Sequence, residues 1–456
     1  MLAYAVSGTY SSDERLNMKQ NILVIDSGGR GDATLWKLRK SPKVGDLFAA
    51  RGTGGCKAHG YVNVDLDGAK DIERLARFAH INNCLTVVTS DDPLAAGIVD
   101  YFADDDLRIW GPRQQAAEIE SSKVRAKARM RDYGIPTSPF KLGYTFRDAL
   151  RKVTEHFSMT DEPWVLKKSG LALGKGALIC ETLEQAVEFL VDVIIKKKHG
   201  QRGNEIVMED FLPGPELSLH AIARWSRQRG VEFKLFPTAR DHKLSGEGDT
   251  GDQTGGMGVV TPVSVDEAVA RICEEIVRKI LEVLAEDGMP FTGCLYPGLK
   301  LTLDGPKVLE FNARPGDPEW QVHMMRLKSD LLDLILWSMG EIEDVKLEWD
   351  PRPAACVIVA SGGYPGEYKK DGYPYPILGI EDAEEIPDTV VFHAGTRWEG
   401  EKLVTNGGRV AGVTSLGSDL KDAIDKAKRG AGLIKFGGAW FRPDIWASTL
   451  SAMGTP

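Results

Sequence analysis

Apolar segments alternate with helical patterns over the first third of the chain. The apolar run NILVID precedes the glycine turn SGGRGD, and LTVVTS precedes a helical stretch from Ala95 to Phe102. Strands that alternate with helices at this spacing predict a parallel sheet with helices on both of its faces. Ligands of such sheets bind at the carboxyl ends of the strands. We therefore expect a binding site beside the turn over residues 27–32.

The pattern changes at about residue 125 and predicts an α+β body. A helix is predicted over Ala126–Tyr133, and the strands PWVLKK and ALIC flank the glycine-rich SGLALGKG, which predicts a hairpin-like flap. The segments IVMEDFL, ELSLHAIAR and EFKLFPTA predict antiparallel strands. Apolar residues at helical spacing predict a long helix over Val265–Ala285, and a helix over Leu327–Met339 is expected to end the body.

Short strands with many glycines predict a small β-rich C-terminal domain after the linker candidate VKLEWDPRP. The predicted fold class is thus α/β and α+β, multidomain. We expect a disordered tail over residues 1–20, an N-terminal parallel-sheet substrate domain over 21–125, a central body over 126–345 and a C-terminal domain over 350–445. Residues 1–17 either belong to this tail or precede the true start at Met18.

Composition excludes several classes of protein. The 456 residues, 42% of them hydrophobic and 27% charged, are typical of a soluble chain of about two to four domains. A formal net charge of −9 disfavours nucleic acid and anionic membranes as partners. The six cysteines form no C-x-x-C pair, which argues against a zinc site and favours a reducing, cytoplasmic location. No apolar run approaches the roughly 18 residues of a spanning helix. The oligomeric state is left open.

The segment KKSGLALGKG, residues 167–176, is a candidate phosphate-binding flap. Lys167 and Lys175 frame a loop with three glycines, which can bring ammonium groups and bare backbone N–H groups onto phosphate oxygens. Its spacing does not match the Walker loop. The alternative is a flexible hairpin with solvated lysines.

The segment VLEFNARPGDPEWQ is a candidate metal-binding strand. Alternate residues of a strand share a face, so Glu310, Asn312 and Arg314 point the same way. Carboxylate and amide oxygens suit Mg²⁺, and a guanidinium beside them can grip a phosphoryl group or a carboxylate. The alternative is an edge strand with a polar outer face.

Two glycine-rich turns offer weaker candidates for anion binding. In the segment over residues 239–258, TGGMG presents consecutive backbone donors that could hold an anion, although the segment could equally be only a loop. It lacks the order of ligands of an EF-hand, and we expect His242 to be structural. The turn SGGRGD is not a dinucleotide fingerprint. It could still present an anion-binding helix N-terminus with Arg30, or be a plain strand–helix turn.

In this order, the segments resemble the phosphoribosylamine–glycine ligase family of ATP-grasp enzymes, also called glycinamide ribonucleotide synthetases. The resemblance covers about residues 21–445 and is carried by DHKLSGEGDTGDQTGGMG, TGCLYPGL, EFNARPGDPEWQ, GGYPGEY, FHAGT and VTNGGRV. It implies an N-terminal substrate domain, an ATP-grasp body over 126–345 that clamps a nucleotide between two halves, and a small C-terminal domain.

The resemblance also implies a reaction. ATP phosphorylates the carboxylate of glycine, and the amine of phosphoribosylamine attacks the resulting acyl phosphate to form an amide. The implied cofactors are ATP and Mg²⁺ or Mn²⁺. Two alternatives remain: a paralogue that joins a different amine or amino acid, and a nucleotide-binding protein without turnover.

The resemblance assigns roles residue by residue. The ATP-binding candidates are Lys123, Lys167, Lys175, Glu209, Phe211, Leu212 and Glu216. The metal-binding candidates are Glu310 and Asn312, and the catalytic candidates are Lys243, Arg314 and Asp317. The candidates for substrate binding are Gly28, Gly29, Arg30, Asp241, Thr254, Gly255 and Gly256.

The sequence departs from the family pattern mainly in the N-terminal domain. Where the family has Gly-Asn-Gly-Gly-Arg-Glu-His, this chain has residues 26–32, DSGGRGD, and further changes fall at 51–53 and 90–93. Asp26 and Asp32 would bring negative charge near a phosphate unless Arg30 or Arg51 neutralises it. The changes on the ATP side are milder: Lys168, Ser169, Leu244, Gln253 and Pro315. We therefore expect any difference in activity to concern the acceptor amine.

Overall fold

The computed structural model describes residues 19–171, 176–197, 205–370 and 372–445. The expectations for the tail over residues 1–17 and for Lys175 concern residues outside these ranges.

A five-stranded parallel sheet forms the N-terminal part, as the sequence predicts. The strand order is β3-β2-β1-β4-β5, and every pair is parallel. The strands are β1 Gln20–Asp26, β2 Val44–Arg51, β3 Val62–Val64, β4 Cys84–Val88 and β5 Ile109–Trp110. The helices are α1 Gly29–Leu38, α2 Cys56–His59, α3 Ile72–Ile81, α4 Asp91–Ala95, α5 Ile98–Asp104 and α6 Gln114–Ser121. β4 is buried along its whole length, which explains a sequence that is apolar except for Thr86.

The first half of the central body is a four-stranded antiparallel sheet. Its order is β6-β9-β7-β8, and β7 pairs with β8 across the glycine-rich segment, which confirms the predicted hairpin. The strands are β6 Phe140–Gly143, β7 Trp164–Lys168, β8 Ala177–Cys180 and β9 Ile206–Asp210. The helices are α7 Lys123–Asp132, α8 Phe146–Met159 and α9 Leu183–Leu190, followed by a π-helical turn over Val191–Ile195.

The second half of the body is another antiparallel sheet, which is covered by a long helix. Its order is β10-β17-β11-β12, with β18 paired to β17. The strands are β10 Glu216–Ser218, β11 Ala221–Ser226, β12 Gly230–Leu235, β17 Gly293–Thr302 and β18 Gly305–Asn312. Helix α10, Glu267–Glu286, buries one apolar face, and its bounds agree closely with the prediction.

The helix predicted over Leu327–Met339 is present but shorter. It is α12 Leu331–Ser338, and a separate helix, α11 Glu319–Arg326, precedes it. Leu327 is extended and forms an isolated bridge with Trp349, and the side chain of Asp330 caps α12 by accepting from Leu332 N over 2.9 Å. The helix therefore begins after Asp330 and not at Leu327.

The C-terminal part is β-rich, and its sheet is shared with the central body. The strand order is β13-β16-β19-β23-β20, so two strands of the body extend the C-terminal sheet. These strands are β13 Arg240–Asp241, β16 Gly258–Thr261, β19 Ala354–Ala360, β20 Thr389–His393 and β23 Arg409–Leu416. Two hairpins are added, β14 Leu244–Gly246 with β15 Thr250–Gln253 and β21 Thr396–Glu399 with β22 Lys402–Thr405. The helices are α13 Ile380–Glu384 and α14 Leu420–Leu433.

The segment between β13 and β16 is therefore fixed at both ends to the C-terminal sheet. It carries the glycine-rich stretch over residues 242–257, which reaches back toward the body. Within the described ranges, no helix is both long enough and apolar enough to cross a membrane.

Candidate active site

A cavity of about 860 Å³ opens between the N-terminal sheet and the flap. We call it the interdomain cavity. Its wall includes Asp26 and Gly28 after β1, Asp91 after β4, Lys168 at the end of β7 and Asp317 before α11. The carboxyl ends of the parallel strands thus face the antiparallel body across this space. The sequence predicts a ligand site at this edge of the sheet.

Three charged side chains form a buried cluster at the base of the flap. Glu209 on β9 pairs with Lys167 on β7, and its second oxygen lies 2.5 Å from Nζ of Lys127 on α7. Lys127 also donates to Thr137 Oγ1 over 2.6 Å. Burial opposes the charge of Glu209, but the two lysines lower the pKa of this carboxyl. Burial lowers the pKa of Lys127 to about 8, although Glu209 opposes this change.

A second group of charges lies on the other sheet of the body. Glu216 on β10 is 3.5 Å from Nζ of Lys243 and 3.6 Å from Nζ of Lys300, measured from its two carboxylate oxygens. Burial would raise the pKa of Glu216, and Lys243 and Lys300 lower it. Burial would lower the pKa of Lys243, but Glu216 and Tyr296 raise it well above its ordinary value. Both groups are therefore ionised at neutral pH.

The predicted metal-binding strand is β18, and it brings its candidates together. The shortest ion pair of Glu310 within the described residues is 4.0 Å, to Nζ of Lys123. Burial would raise the pKa of Glu310, whereas Lys123 and Lys243 lower it to about 2. Asn312 donates to Tyr296 O over 3.2 Å, which leaves its amide oxygen toward Arg314.

The ionised carboxylate of Glu310, whose shortest ion pair is 4.0 Å, and the amide oxygen of Asn312, which can accept a second contact beside that from Arg314, form a donor set that fits a hard divalent ion. Mg²⁺ usually keeps several waters and completes its shell with phosphate oxygens, so two protein ligands suffice. In the described part of the chain, no group of three or more His, Cys, Asp or Glu residues is placed to hold a metal by itself.

Arg314 is held between the metal-binding strand and the N-terminal part. Its Nη2 lies 2.8 Å from an oxygen of Glu120 on α6 and 3.2 Å from Asn312 Oδ1. Glu120 also accepts from Ala313 N over 2.8 Å. Burial opposes the charge of Arg314, but Glu120 and Asp91 raise its pKa. Its buried Nε has no acceptor among the described residues, so the guanidinium retains a donor for a bound anion.

Asp241 contributes a buried carboxylate, one oxygen of which has no donor in the described part of the chain. Its Oδ1 has no hydrogen-bond partner within the described ranges, and burial together with Glu319 raises its pKa well above the ordinary value. Glu319 on α11 accepts from Ser218 over 2.9 Å and from the Tyr296 hydroxyl over 2.6 Å. A cationic ligand would satisfy Asp241 in this position.

The hypothesis that the TGGMG segment binds an anion through its backbone is wrong, because its amides are already bonded. Thr254 N donates to Lys243 O over 2.7 Å, and Met257 N donates to His242 O over 2.9 Å. Gly255 N donates to the Tyr364 hydroxyl, and Gly256 N donates to Thr254 Oγ1, each over 3.0 Å. These residues remain site candidates, because the loop that they form adjoins Asp241 and Asp317.

The turn after β1 is also internally bonded. Asp26 accepts from Arg30 over 2.7 Å, from Thr89 over 2.9 Å and from Gly28 N over 2.8 Å. Arg30 also donates to Pro315 O over 3.0 Å, so much of its guanidinium is engaged within the protein. A Cβ at Gly29 would lie 2.7 Å from Gln321 Nε2, so a larger residue at this position would have to displace the amide of Gln321 on α11.

Asp32, which was expected to add charge near a phosphate, faces away from the interdomain cavity. Its oxygens accept from the Tyr61 hydroxyl and from His393 N, each over 2.7 Å, and one lies 2.9 Å from Nδ1 of His59. It thus joins the N-terminal part to β20 of the C-terminal part. The expectation is wrong because the first turn of α1 directs this side chain toward β20.

Phe211 and Leu212 follow β9 without regular structure. Phe211 is 41% exposed, whereas Leu212 is buried. A partly exposed aromatic beside a buried leucine suits a planar base.

Several side chains of the site were not among the sequence-based candidates. They are Lys127, Glu120, Tyr296, Glu319 and Arg409. Arg409 on β23 donates to Asp317 O over 2.8 Å and to its carboxylate over 3.0 Å. Lys127 lies four residues after Lys123 on α7, and this helical spacing could have identified it. Arg409 lies in the quoted segment VTNGGRV, but its partner could not be identified from sequence.

Two antiparallel sheets that carry lysines and metal-type oxygens, beside a parallel-sheet domain, define an ATP-grasp protein. Comparisons with known proteins agree. Three profiles match in succession: the phosphoribosylglycinamide synthetase N domain over residues 20–120, its ATP-grasp (A) domain over 121–320 and its C domain over 354–447.

The alignments with individual relatives cover nearly the whole chain. A phosphoribosylamine–glycine ligase of Rhodopirellula baltica is 41% identical over 434 residues, which is 94% of this chain and 97% of the relative. The trifunctional purine biosynthetic protein adenosine-3 of Gallus gallus is 38% identical over 94% of this chain and 42% of its own length. The crystal structure of phosphoribosylamine–glycine ligase from Thermotoga maritima superposes with a TM-score of 0.79 at 30% identity, covering 93% of this chain and all of that one.

The chain belongs to the phosphoribosylglycinamide synthetase family. This family of ATP-grasp ligases uses ATP.

Proposed function

We propose that this chain is an ATP-dependent carbon–nitrogen ligase that joins glycine to 5-phosphoribosylamine through a glycyl phosphate. Its relatives carry the name of this activity. The observation that carries the proposal is that Arg314, bonded to Asn312 on β18, also interacts electrostatically with Asp91 on the wall of the interdomain cavity. The strand suits a nucleotide and its metal, and the cavity is large enough for a sugar phosphate.

The nucleotide would bind between the two sheets of the body. Lys123 and Lys167 are placed to contact phosphate oxygens, and Phe211 and Leu212 to contact the base. Glu216, beside Lys300, is available to the ribose. Lys175 is proposed for the flap from sequence alone. Glu310 and Asn312 would hold Mg²⁺ or Mn²⁺, which supplies charge neutralisation for the phosphates when it is bound.

Glycine would bind where opposite charges lie near each other. The unpartnered carboxylate of Asp241 is placed for its ammonium group, and Arg314 or Lys243 for its carboxylate. A glycine oxygen then attacks the γ-phosphorus, the bond from that phosphorus to the β–γ bridging oxygen breaks, and ADP leaves. Lys243 and Arg314 stabilise the negative charge in this step.

The acceptor amine would enter from the interdomain cavity. Its nitrogen attacks the acyl carbon, the bond from carbon to the phosphate oxygen breaks, and inorganic phosphate and a proton are released. Asp317 on the cavity wall is placed beside this nitrogen, while Gly28, Gly29 and Arg30 form the turn that would receive the phosphorylated sugar. In this proposal residues 21–125 supply the acceptor site, 126–345 the ATP-grasp body and 350–445 the C-terminal domain.

A different acceptor is the second candidate function. Asp91 and Asp92 add negative charge to the cavity wall, and Lys168 and Arg51 add positive charge. This mixed wall could also suit another amine.

Glycine labelled with ¹⁸O in its carboxylate tests the proposal. With ATP, Mg²⁺ and freshly generated phosphoribosylamine, we expect ADP release that requires all substrates and one ¹⁸O atom in the inorganic phosphate. If ADP is released only with another amine, that amine is the acceptor and phosphoribosylamine is not. ATP binding without any turnover would overturn the assignment as an enzyme.

A further inference from the structure

Arg409 connects the C-terminal sheet to two segments of the active site. Its Nη1 donates to Gly255 O over 2.6 Å and to Asp317 O over 2.8 Å, and its Nη2 lies 3.0 Å from Asp317 Oδ2. One guanidinium thus fixes both the TGG loop, residues 254–256, and the carboxylate on the cavity wall. The charge of Asp317 opposes the effect of burial on Arg409 and raises its pKa, so this contact persists across the working pH range.

Tyr364 holds the same loop from a second point of the C-terminal domain. Its hydroxyl accepts from Gly255 N over 3.0 Å. A Cβ at Gly408 would lie 2.2 Å from the Tyr364 ring, so the glycine before Arg409 lets the ring pack against the strand. The two side chains are therefore held next to each other, and both contact Gly255.

The TGG loop has no space for larger residues at Gly255 and Gly256, so its own side chains cannot hold it in place. A Cβ at Gly255 would lie 3.0 Å from the guanidinium carbon of Arg409, and one at Gly256 would lie 2.6 Å from Pro318 and 2.7 Å from Asp241. Gly256 also has a φ of +107°, which disfavours other residues. The position of this loop, and of Asp241 beside it, consequently depends on the C-terminal domain.

Asp317 adjoins the acceptor side of the site. It lines the interdomain cavity, and a Cβ at Gly28 would lie 3.5 Å from its Oδ2. Its other carboxylate oxygen accepts from Gln321 over 2.8 Å. Among the described residues, Arg409 forms no hydrogen bond with the lysines of the proposed nucleotide site, whose partners are Glu209, Glu216 and Glu310. A change at Arg409 should therefore affect the acceptor before it affects ATP.

We propose that Arg409 and Tyr364 are positioning residues, through which the C-terminal domain sets Asp317 and the TGG loop for capture of the acceptor amine. This inference rests on the proposed ligase function. It gives the C-terminal domain a direct part in the reaction, although neither side chain needs to touch a reacting atom.

Steady-state kinetics of the full chain test the proposal. Arg409→Ala should raise the KM of the acceptor roughly tenfold to a hundredfold, as expected for a displaced positioning group, while the KM of ATP stays within about twofold. Tyr364→Phe should give a smaller change in the same direction. Millimolar guanidinium, but not an equal concentration of NaCl, should restore part of the acceptor affinity of Arg409→Ala.

Arg397→Ala is the matched control, because Arg397 is an exposed arginine of the same domain that pairs with Glu399 on the β21–β22 hairpin. It should leave all constants unchanged. Equal rises in the KM of ATP and of the acceptor, or no rise in either, would overturn the proposal.

Amide hydrogen exchange separates this inference from the proposed function. In both variants Gly255 N should exchange roughly tenfold faster or more, while Met257 N, bonded to His242 O, keeps its rate. If the wild type ignores phosphoribosylamine, the proposed acceptor is wrong, and the KM comparison is made with the amine that supports ADP release. If Gly255 exchanges at the wild-type rate in Arg409→Ala, the positioning role is wrong whatever the acceptor.

Discussion

Glu310→Gln is the substitution with the clearest expected outcome, because it removes a charge and preserves the shape of the side chain. Glu310 lies 4.0 Å from Lys123 and forms the metal-type pair with Asn312 on β18. The variant should lose nearly all ATP turnover, since a neutral amide is a much weaker ligand than a carboxylate for a hard divalent ion. It should also be less stable without nucleotide.

The loss of stability follows from the pKa of Glu310. Burial would raise this pKa, but Lys123 and Lys243 lower it from 4.5 to about 2. At about 1.4 kcal/mol per pKa unit this difference corresponds to about 3 kcal/mol. The side chain is 33% exposed, and solvent screening reduces the figure, so we expect about 2 kcal/mol.

The sign of the pH dependence is fixed by the lowered pKa. The folded protein holds the proton of Glu310 less tightly than the unfolded chain does. The contribution is therefore complete above about pH 4.5 and is lost as the pH falls through about 2. The stability of the wild type should approach that of Glu310→Gln over this range.

Urea unfolding at pH 7 and ATP turnover at limiting Mg²⁺ measure the two effects. Asp304→Asn is the matched control, because Asp304 is an exposed carboxylate that pairs with Lys307 on the β17–β18 hairpin. It should change neither quantity by much. A folded Glu310→Gln protein with turnover within a few-fold of wild type would refute the metal assignment, and unchanged stability would refute the electrostatic argument.

Lys127→Met removes one of the two cations that contact Glu209. It should raise the KM of ATP roughly tenfold, because the Lys167–Glu209 pair that remains would shift from its position. In the wild type this KM should rise as the pH passes about 8, where Lys127 loses its proton, and the variant should lack that rise. Lys167→Ala should raise the ATP requirement and slow acyl-phosphate formation. An unchanged ATP dependence would show that Lys167 has only a structural role. Arg30→Ala should raise the KM of the phosphorylated amine by about tenfold and should also cost about 3 kcal/mol of stability, because Asp26 is left buried without its cation. Arg30→Met with Asp26→Leu should recover only part of the stability, because Thr89 and Gly28 N lose their acceptor, and should not recover the KM.

Local patterns in the sequence predict much of the fold. The apolar runs of β1 and β4 are buried by helices on both faces of the parallel sheet, so their composition identifies them. The apolar face of α10 has a helical period. The helix predicted over Leu327–Met339 begins only at Leu331, because Asp330 caps it and Leu327 forms a bridge with the distant Trp349. No local signal marks that bridge.

In the candidate site, too, local sequence patterns predict some contacts and not others. Glu310 and Asn312 lie two residues apart on one strand, so the strand period alone brings them together. Arg409 and Asp317 are 92 residues apart, and they meet because α11, which follows Asp317, packs against β19 and β23 of the C-terminal sheet. The glycines of the TGG loop suggested free backbone donors, but distant acceptors such as the Tyr364 hydroxyl consume them.

The departures of the N-terminal domain from the family pattern now fall into two groups. Asp32 is bonded to Tyr61 and His393 and lies 2.9 Å from His59, and although burial opposes its charge, His59 lowers its pKa. This substitution therefore belongs to the contact between the N-terminal and C-terminal parts. Asp26 faces the interdomain cavity but is neutralised by Arg30, so neither acid excludes a phosphate. We therefore expect any difference in acceptor preference to depend on the remaining N-terminal changes on the cavity wall, among them Asp91.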